Sequence, residues 1–175
     1  MTKIDESTAA GTLTAVDGAL RWNVKQSFRD YVGELPDGEE VWTGAAGGIS
    51  DDGDLVFPAV EMILGTRPED DLRFVFEGGV RFAGYGGMLR VEIRDPWLEV
   101  GESTSALTVD VAPPGSTARR VAIATLEGRP QMVEGGVVVW NPGSTALTAA
   151  GAALLGSVYP PGTEADGFGF RATLA

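Results

Sequence analysis

The chain has no histidine and no cysteine, so its three tyrosines, Tyr31, Tyr85 and Tyr159, have the widest choice of chemistry. Without imidazole or thiol there is no Ser-His-Asp triad, no His-based acid–base step, no thiolate nucleophile and no His or Cys metal centre. A phenol can pack in a core, donate a proton, or serve as a ligand. Tyr31 sits in the run Trp22-Asn23-Val24-Lys25-Gln26-Ser27-Phe28-Arg29-Asp30-Tyr31-Val32, which changes period midway. Leu20 and Trp22 alternate with polar neighbours, as on a half-buried strand, and Val24, Phe28, Tyr31 and Val32 then recur three and four apart, as on one helix face. Tyr31 thus falls in the last turn of a short helix that Gly33 is expected to close, with Arg29 off its face. Tyr85 lies between Gly84 and Gly86-Gly87, a turn where backbone can approach another group closely.

The rest of the chain reads as the scaffold that positions these groups. Residues 1 to about 18 form a loosely held, flexible lead-in, and 19–175 form one domain, long enough to bury a core. Leu35-Pro36-Asp37-Gly38 is a turn, and Asp51-Asp52-Gly53-Asp54 a hairpin tip. Strands are expected at Val41–Thr43, at Leu55–Phe57 (broken by Pro58) and at Leu72–Phe76. Gly78-Gly79 is expected to bulge before Val80–Phe82 resumes the pairing. Leu89–Ile93 alternates charged and apolar residues and is expected to stop at Pro96, after which Trp97 opens a new strand. Further strands are expected at Leu107–Val111 (ended by Pro113-Pro114-Gly115), Val121–Leu126, Gly136–Trp140 and Phe168–Phe170. Thr148 is a candidate cap for a second short helix, Ala149–Leu155, whose small residues allow close packing on a sheet. The sum is a mainly β fold, a two-layer antiparallel sandwich or barrel-like structure with two short α-helices.

Charge excludes some functions. With 25 acidic and 13 basic residues, the net charge of −12 repels nucleic acid and anionic lipid. The N-terminal residues carry no apolar segment, and no stretch is long enough to span a bilayer. As written the chain is expected to be cytoplasmic; it would be secreted if trimmed from a longer precursor. Asp51–Asp54 lacks the later ligands and the bidentate Glu of a calcium loop, and Glu69-Asp70-Asp71 reads as an ordinary charged loop. Trp42, Trp97 and Trp140 are expected in the core with bonded indole N–H groups, or else lining a small-molecule pocket.

Trp22-x-Val24-Lys25-x-Ser27-Phe28-Arg29-x-Tyr31-Val32 resembles the opening signature of the HtaA domain, the haem-binding module of actinobacterial haem-uptake proteins. Val80–Gly87 followed by Leu89–Ile93 and Asp95-Pro96 is similar to that family's central hairpin. Leu147–Ala153 and then Tyr159-Pro160-Pro161-Gly162-Thr163 is similar to its closing helix and turn. The resemblance is collinear from about Leu20 to Phe170. It implies the HtaA-type fold and haem as the cofactor, with Tyr31 as the axial ligand to haem iron; a phenolate is a hard anionic donor suited to ferric iron. Family members also use histidine to hydrogen-bond that tyrosine. Here the central-hairpin position falls at Tyr85, which could donate to a Tyr31 phenolate or fill the haem space.

Three functions follow as expectations. The first is a flat apolar small molecule, haem foremost, held at a cleft by Tyr31, Tyr85, Phe28, Arg29 and Trp22. The second is a haem-independent relative whose pocket is repurposed as a cofactor-free cyclase or isomerase for a hydrophobic substrate. In it Tyr31 or Tyr85 would donate a proton and Arg29 would polarise a carbonyl or hold a carboxylate. The third is a structural or partner-binding domain with a filled core.

Overall fold

A computed structural model describes residues 11–65, 72–112, 117–142 and 145–175. In chain order the strands are β1 (Thr12–Trp22), β2 (Glu39–Trp42), β3 (Gly48–Ile49), β4 (Leu55–Leu64), β5 (Leu72–Phe76), β6 (Gly79–Gly84), β7 (Leu89–Val100), β8 (Ser105–Val111), β9 (Arg119–Leu126), β10 (Gln131–Val133), β11 (Val137–Trp140), β12 (Thr145–Leu147) and β13 (Phe168–Leu174). Helix α1 spans Gln26–Glu34 and α2 spans Ala149–Leu154, and a 3-10 turn covers Tyr85–Gly87. The readings at Glu69-Asp70-Asp71 and Pro113-Pro114-Gly115 lie outside the described residues.

The fold is mainly β, as expected: one antiparallel sheet curled into a half-barrel, with two helices. Its path runs β10-β11-β13-β1-β4-β5-β7-β8-β9-β12, with β6 also on β7, β2 on β6 and β3 on β4. The curl is visible in the core. Phe170 of β13 meets Phe74 and Phe76 of β5 at ring-centroid distances of 4.8 and 5.1 Å, although β1 and β4 separate those strands in the sheet. Phenylalanines at every second position point inward from both walls and fill the space between them.

Two breaks expected from proline are absent. β4 runs through Pro58, whose carbonyl accepts the Glu77 N–H at 3.0 Å. β7 runs through Pro96, because the pairing with β8 shifts register between Arg94 and Trp97 and the bulge at Gly78 lies opposite. Asp95 and Gly78 exchange bonds there: Asp95 N–H donates to the Gly78 carbonyl at 2.8 Å, and Gly78 N–H to Asp95 Oδ1 at 3.2 Å. A proline inside a bulge removes no ladder donor. The expected Gly78-Gly79 bulge therefore also explains the proline. β1 starts at Thr12, inside the stretch expected as lead-in, and Thr12–Thr14 pair with β4.

Helix α2 packs as its small residues suggest. Thr148 Oγ1 accepts the Gly151 N–H at 2.9 Å, the expected cap. A Cβ on Gly151 would lie 2.1 Å from the Ile123 carbonyl oxygen, so only glycine lets the helix lie this close to β9. The tryptophans divide. Trp42 is half-buried and its indole donates to the Ala46 carbonyl at 3.1 Å. Trp140 is buried, but its N–H has no partner among the described residues. Trp97 is half-buried between the guanidiniums of Arg73 and Arg120, 4.3 and 3.5 Å from the ring centroid, rather than in the core. Among the described residues no helix is long and apolar enough to cross a membrane.

Candidate functional site: an exposed pair of phenols

Helix α1 forms because Phe28 and Val32, one turn apart, both reach the core, at 2 % and 1 % exposure. Lys25 at its start offers no side-chain cap, and the work is done from far along the chain. The Asp166 carboxylate accepts the Gln26 N–H at 2.6 Å, placing negative charge at the helix N-terminus. Gly33 does not end the helix, which continues to Glu34. The chain is turned back instead by Leu35–Gly38, where Leu35 N–H reaches the Val32 carbonyl and Gly38 N–H the Leu35 carbonyl.

With Phe28 and Val32 inside, Ser27 and Tyr31 share the outer face. Ser27 Oγ hydrogen-bonds the Tyr159 hydroxyl at 2.7 Å, and Lys25 Nζ stands 5.3 Å from the Tyr159 ring centroid. One turn on, the Tyr31 hydroxyl donates to the Tyr85 hydroxyl at 2.5 Å, the ring centroids being 6.3 Å apart. Both rings are open to solvent, Tyr31 at 42 % and Tyr85 at 52 %; Met88, on the same turn as Tyr85, is 90 % exposed. The bond to Tyr85 raises the Tyr31 pKa above 10.0, with loss of water contact adding to it, because Tyr31 is the donor and must surrender that hydrogen bond to ionise.

The structure thus brings together Tyr31 and Tyr85, which lie 54 positions apart, and it corrects the other three residues expected beside them. Trp22 is 2 % exposed and packs on Phe57; Phe28 is equally buried, edge-on to Phe82 at 5.2 Å. Both are core side chains and present nothing to a ligand. Arg29 is also committed. Its Nε and Nη2 bond both Glu40 oxygens at 2.8 and 2.6 Å, and Nη2 also reaches the Gly53 carbonyl. Its pKa is raised, first by the Glu40 hydrogen bond. A guanidinium so engaged is not free to polarise a substrate carbonyl. Behind Tyr31 the helix buries Phe28 and Val32 in the core, and a groove of about 570 Å³ lies elsewhere, beside Leu64, Leu72, Arg73 and Val100.

Asp37 is the residue that sequence reasoning passed over. Its carboxylate accepts the N–H groups of Tyr85 and Gly86 at 3.0 and 2.7 Å. Those two bonds hold its pKa below the usual 3.8, the Gly86 bond contributing most. In the sequence Asp37 sits in Leu-Pro-Asp-Gly and carries only a turn signal. Ser27 could have been found, because it precedes Tyr31 by one helical turn. The Asp51–Asp54 tip is a hairpin, as expected, and Asp54 is bonded to Asn23 and Arg21. Among the described residues no cluster of acidic side chains is arranged to hold a metal ion.

The fold and the site define a curled antiparallel half-barrel that presents a hydrogen-bonded pair of tyrosines, carried by a short helix and a glycine turn. The HtaA family model matches residues 17–171, and the chain belongs to that family. It is similar to the C-terminal domain of HtaA from Corynebacterium glutamicum at 23% identity and a TM-score of 0.74, covering 93% of this chain and 99% of that one. The N-terminal domain of the same protein gives 24% identity and a TM-score of 0.71 over the same shares. Heme binding protein HtaB from that organism gives 18% identity and a TM-score of 0.67, covering 95% and 96%. At these identities the likeness carries the fold. No curated protein matches the chain.

Proposed function

We propose that this domain binds haem on its surface, where the Tyr31 oxygen would hold the iron and Tyr85 would be that oxygen's hydrogen-bond partner. Family membership supports the reading, and so does a structural neighbour described as a heme binding protein. The observation that carries it is the exposed Tyr31–Tyr85 pair. The donor set fits. A phenolate is a hard anionic oxygen, a donor suited to ferric iron, and exposed Met88 and the two aromatic rings offer apolar surface to a flat macrocycle.

Bound haem would supply a ferric Lewis acid and a large apolar disc. The remaining chemistry belongs to the chain. In the free protein Tyr31 donates and Tyr85 accepts. Once Tyr31 gives up its proton, the Tyr85 hydroxyl can rotate and donate to the phenolate, a charge-assisted bond stronger than the neutral one it replaces. Phe28 and Val32 anchor α1 in the core, so that Tyr31 does not have to be ordered at the moment of binding.

Micromolar hemin added to the purified protein should shift the haem absorption bands to those of a ferric tyrosinate. Tyr31→Phe should abolish that change while leaving the far-UV circular dichroism intact. An unaltered hemin spectrum with the wild-type protein would remove the proposal.

A further inference from the structure

We propose that Asp37 is the positioning residue of this site, the anchor that fixes the Tyr85 phenol against Tyr31; its bearing on ligand binding rests on the reading just given.

Tyr85 has φ +50°, Gly86 +63° and Gly87 +92°, three successive residues in the half of conformational space that side chains disfavour. Glycine enters that region freely, and a Cβ on Gly86 or Gly87 would meet nothing within 4 Å. No packing therefore confines these two residues, and two glycines in a row leave the turn many alternatives. Tyr85 itself is a non-glycine residue in a costly conformation, so something must hold it there. Successive N–H groups in a left-handed turn converge and form a concave binding place for an anion. In this chain the Asp37 carboxylate occupies that place, one oxygen on the Tyr85 N–H and the other on the Gly86 N–H. These are charge-assisted bonds, and they bear on the residue whose backbone is strained.

Asp37 is itself tied to α1. The Leu35–Gly38 turn follows the helix directly, and a Cβ on Gly38 would stand 1.7 Å from the Val32 carbonyl oxygen. The turn is thus pressed against the end of the helix, one residue beyond Tyr31. The Leu35 side chain continues the contact, reaching to where a Cβ on Gly84 would be. A short rigid bracket results: Tyr31, the Val32 carbonyl, Gly38, Asp37, then the backbone of Tyr85. It sets the distance between two hydroxyls carried by elements far apart in sequence.

The test reads the phenols first without ligand. With only three tyrosines in the chain, ring-labelled protein lets the Tyr31 NMR signal be followed separately as pH is raised. In the wild type Tyr31 should titrate above the ordinary phenol range. In Asp37→Ala its midpoint should fall as far as it does in Tyr85→Phe, and the double variant should fall no further. Asp37→Asn, which keeps the shape of the turn but loses the charge and one acceptor, should fall part of the way. Asp52→Ala, an exposed acid on the hairpin tip, should leave the midpoint in place. A Tyr31 midpoint unmoved in both Asp37 variants would overturn the proposal. Hemin is then titrated into the same proteins, with roughly ten-fold weaker binding expected for Asp37→Ala. Wild-type affinity in a variant whose Tyr31 midpoint has moved would sever the anchor from ligand binding and overturn that part. Moved midpoints with no hemin binding by any variant, the wild type included, would leave Asp37 as the anchor and remove the haem reading alone.

Discussion

Tyr31 donates its hydroxyl proton to the oxygen of Tyr85, so in the free protein the residue best placed to become an anion is held neutral. A phenol whose pKa is raised on folding contributes stability that is complete below the ordinary value near 10.0 and is lost as pH climbs through the raised value. Asp37 has the opposite sign. Its carboxylate pKa is depressed, so its contribution is present above the usual 3.8 and fades as pH falls through the lowered one. With no histidine in the chain, the two windows leave a plateau between them. Thermal melts should show a midpoint that these groups do not move between about pH 5 and 9. Tyr85→Phe should weaken only the alkaline limb and Asp37→Asn chiefly the acid one. A wild-type midpoint that slopes through neutral pH would contradict this.

Arg29 is predicted to matter for stability and not for binding. Its side chain is 8 % exposed and forms a two-pronged pair with Glu40. Arg29→Ala would strand that carboxylate in a half-buried place and should cost about 3 kcal/mol in urea unfolding. Arg29→Ala with Glu40→Ala should recover part of the loss. Hemin affinity, measured where the variant is still folded, should stay within about two-fold of wild type, roughly the 0.4 kcal/mol that RT ln 2 represents.

Gly151→Ala sets two effects against each other. Alanine favours a helix over glycine by about 1 kcal/mol. The new Cβ would, however, meet the Ile123 carbonyl oxygen at 2.1 Å, and backbone cannot rotate away as a side chain can. The clash should win, with a net loss of about 1–3 kcal/mol read from the melting temperature. Equal or higher stability would mean that α2 can lift from β9 at little cost.

Thr148→Ala tests the cap of the same helix. Thr148 Oγ1 accepts the Gly151 N–H and donates to the Ala122 carbonyl at 2.6 Å. Losing both should cost about 1–2 kcal/mol, whereas serine, which keeps the hydroxyl, should retain most of it. Faster amide exchange at Gly151 and Ala152 would locate the damage.

How far the molecule could be read in advance depended on the range of the interactions concerned. The face formed by Phe28 and Val32, the cap at Thr148 and the Gly78 bulge each rest on neighbours a few residues away, and each was legible. Pro58 and Pro96 misled because a proline ends a strand only where the ladder needs its N–H, and the register that decides this lies on other strands. Trp22 and Phe28 were legible as apolar but not as core, since spacing alone does not distinguish the inside of a wall from a ligand face. Arg29 looked available because Glu40 lies beyond the turn that brings it back. Asp37 was the least readable: its carboxylate does its work 48 and 49 positions further on, and local sequence shows only a turn.

Haem binding by this domain turns on one oxygen atom, that of Tyr31. Resonance Raman spectra of the hemin-loaded protein, recorded with natural and ring-deuterated tyrosine, test it most directly. Tyrosinate bands should shift on deuteration, persist in Tyr85→Phe at altered frequency, and vanish in Tyr31→Phe. Bands that survive in Tyr31→Phe, or a loaded wild-type protein with no isotope-sensitive tyrosinate bands, would contradict it.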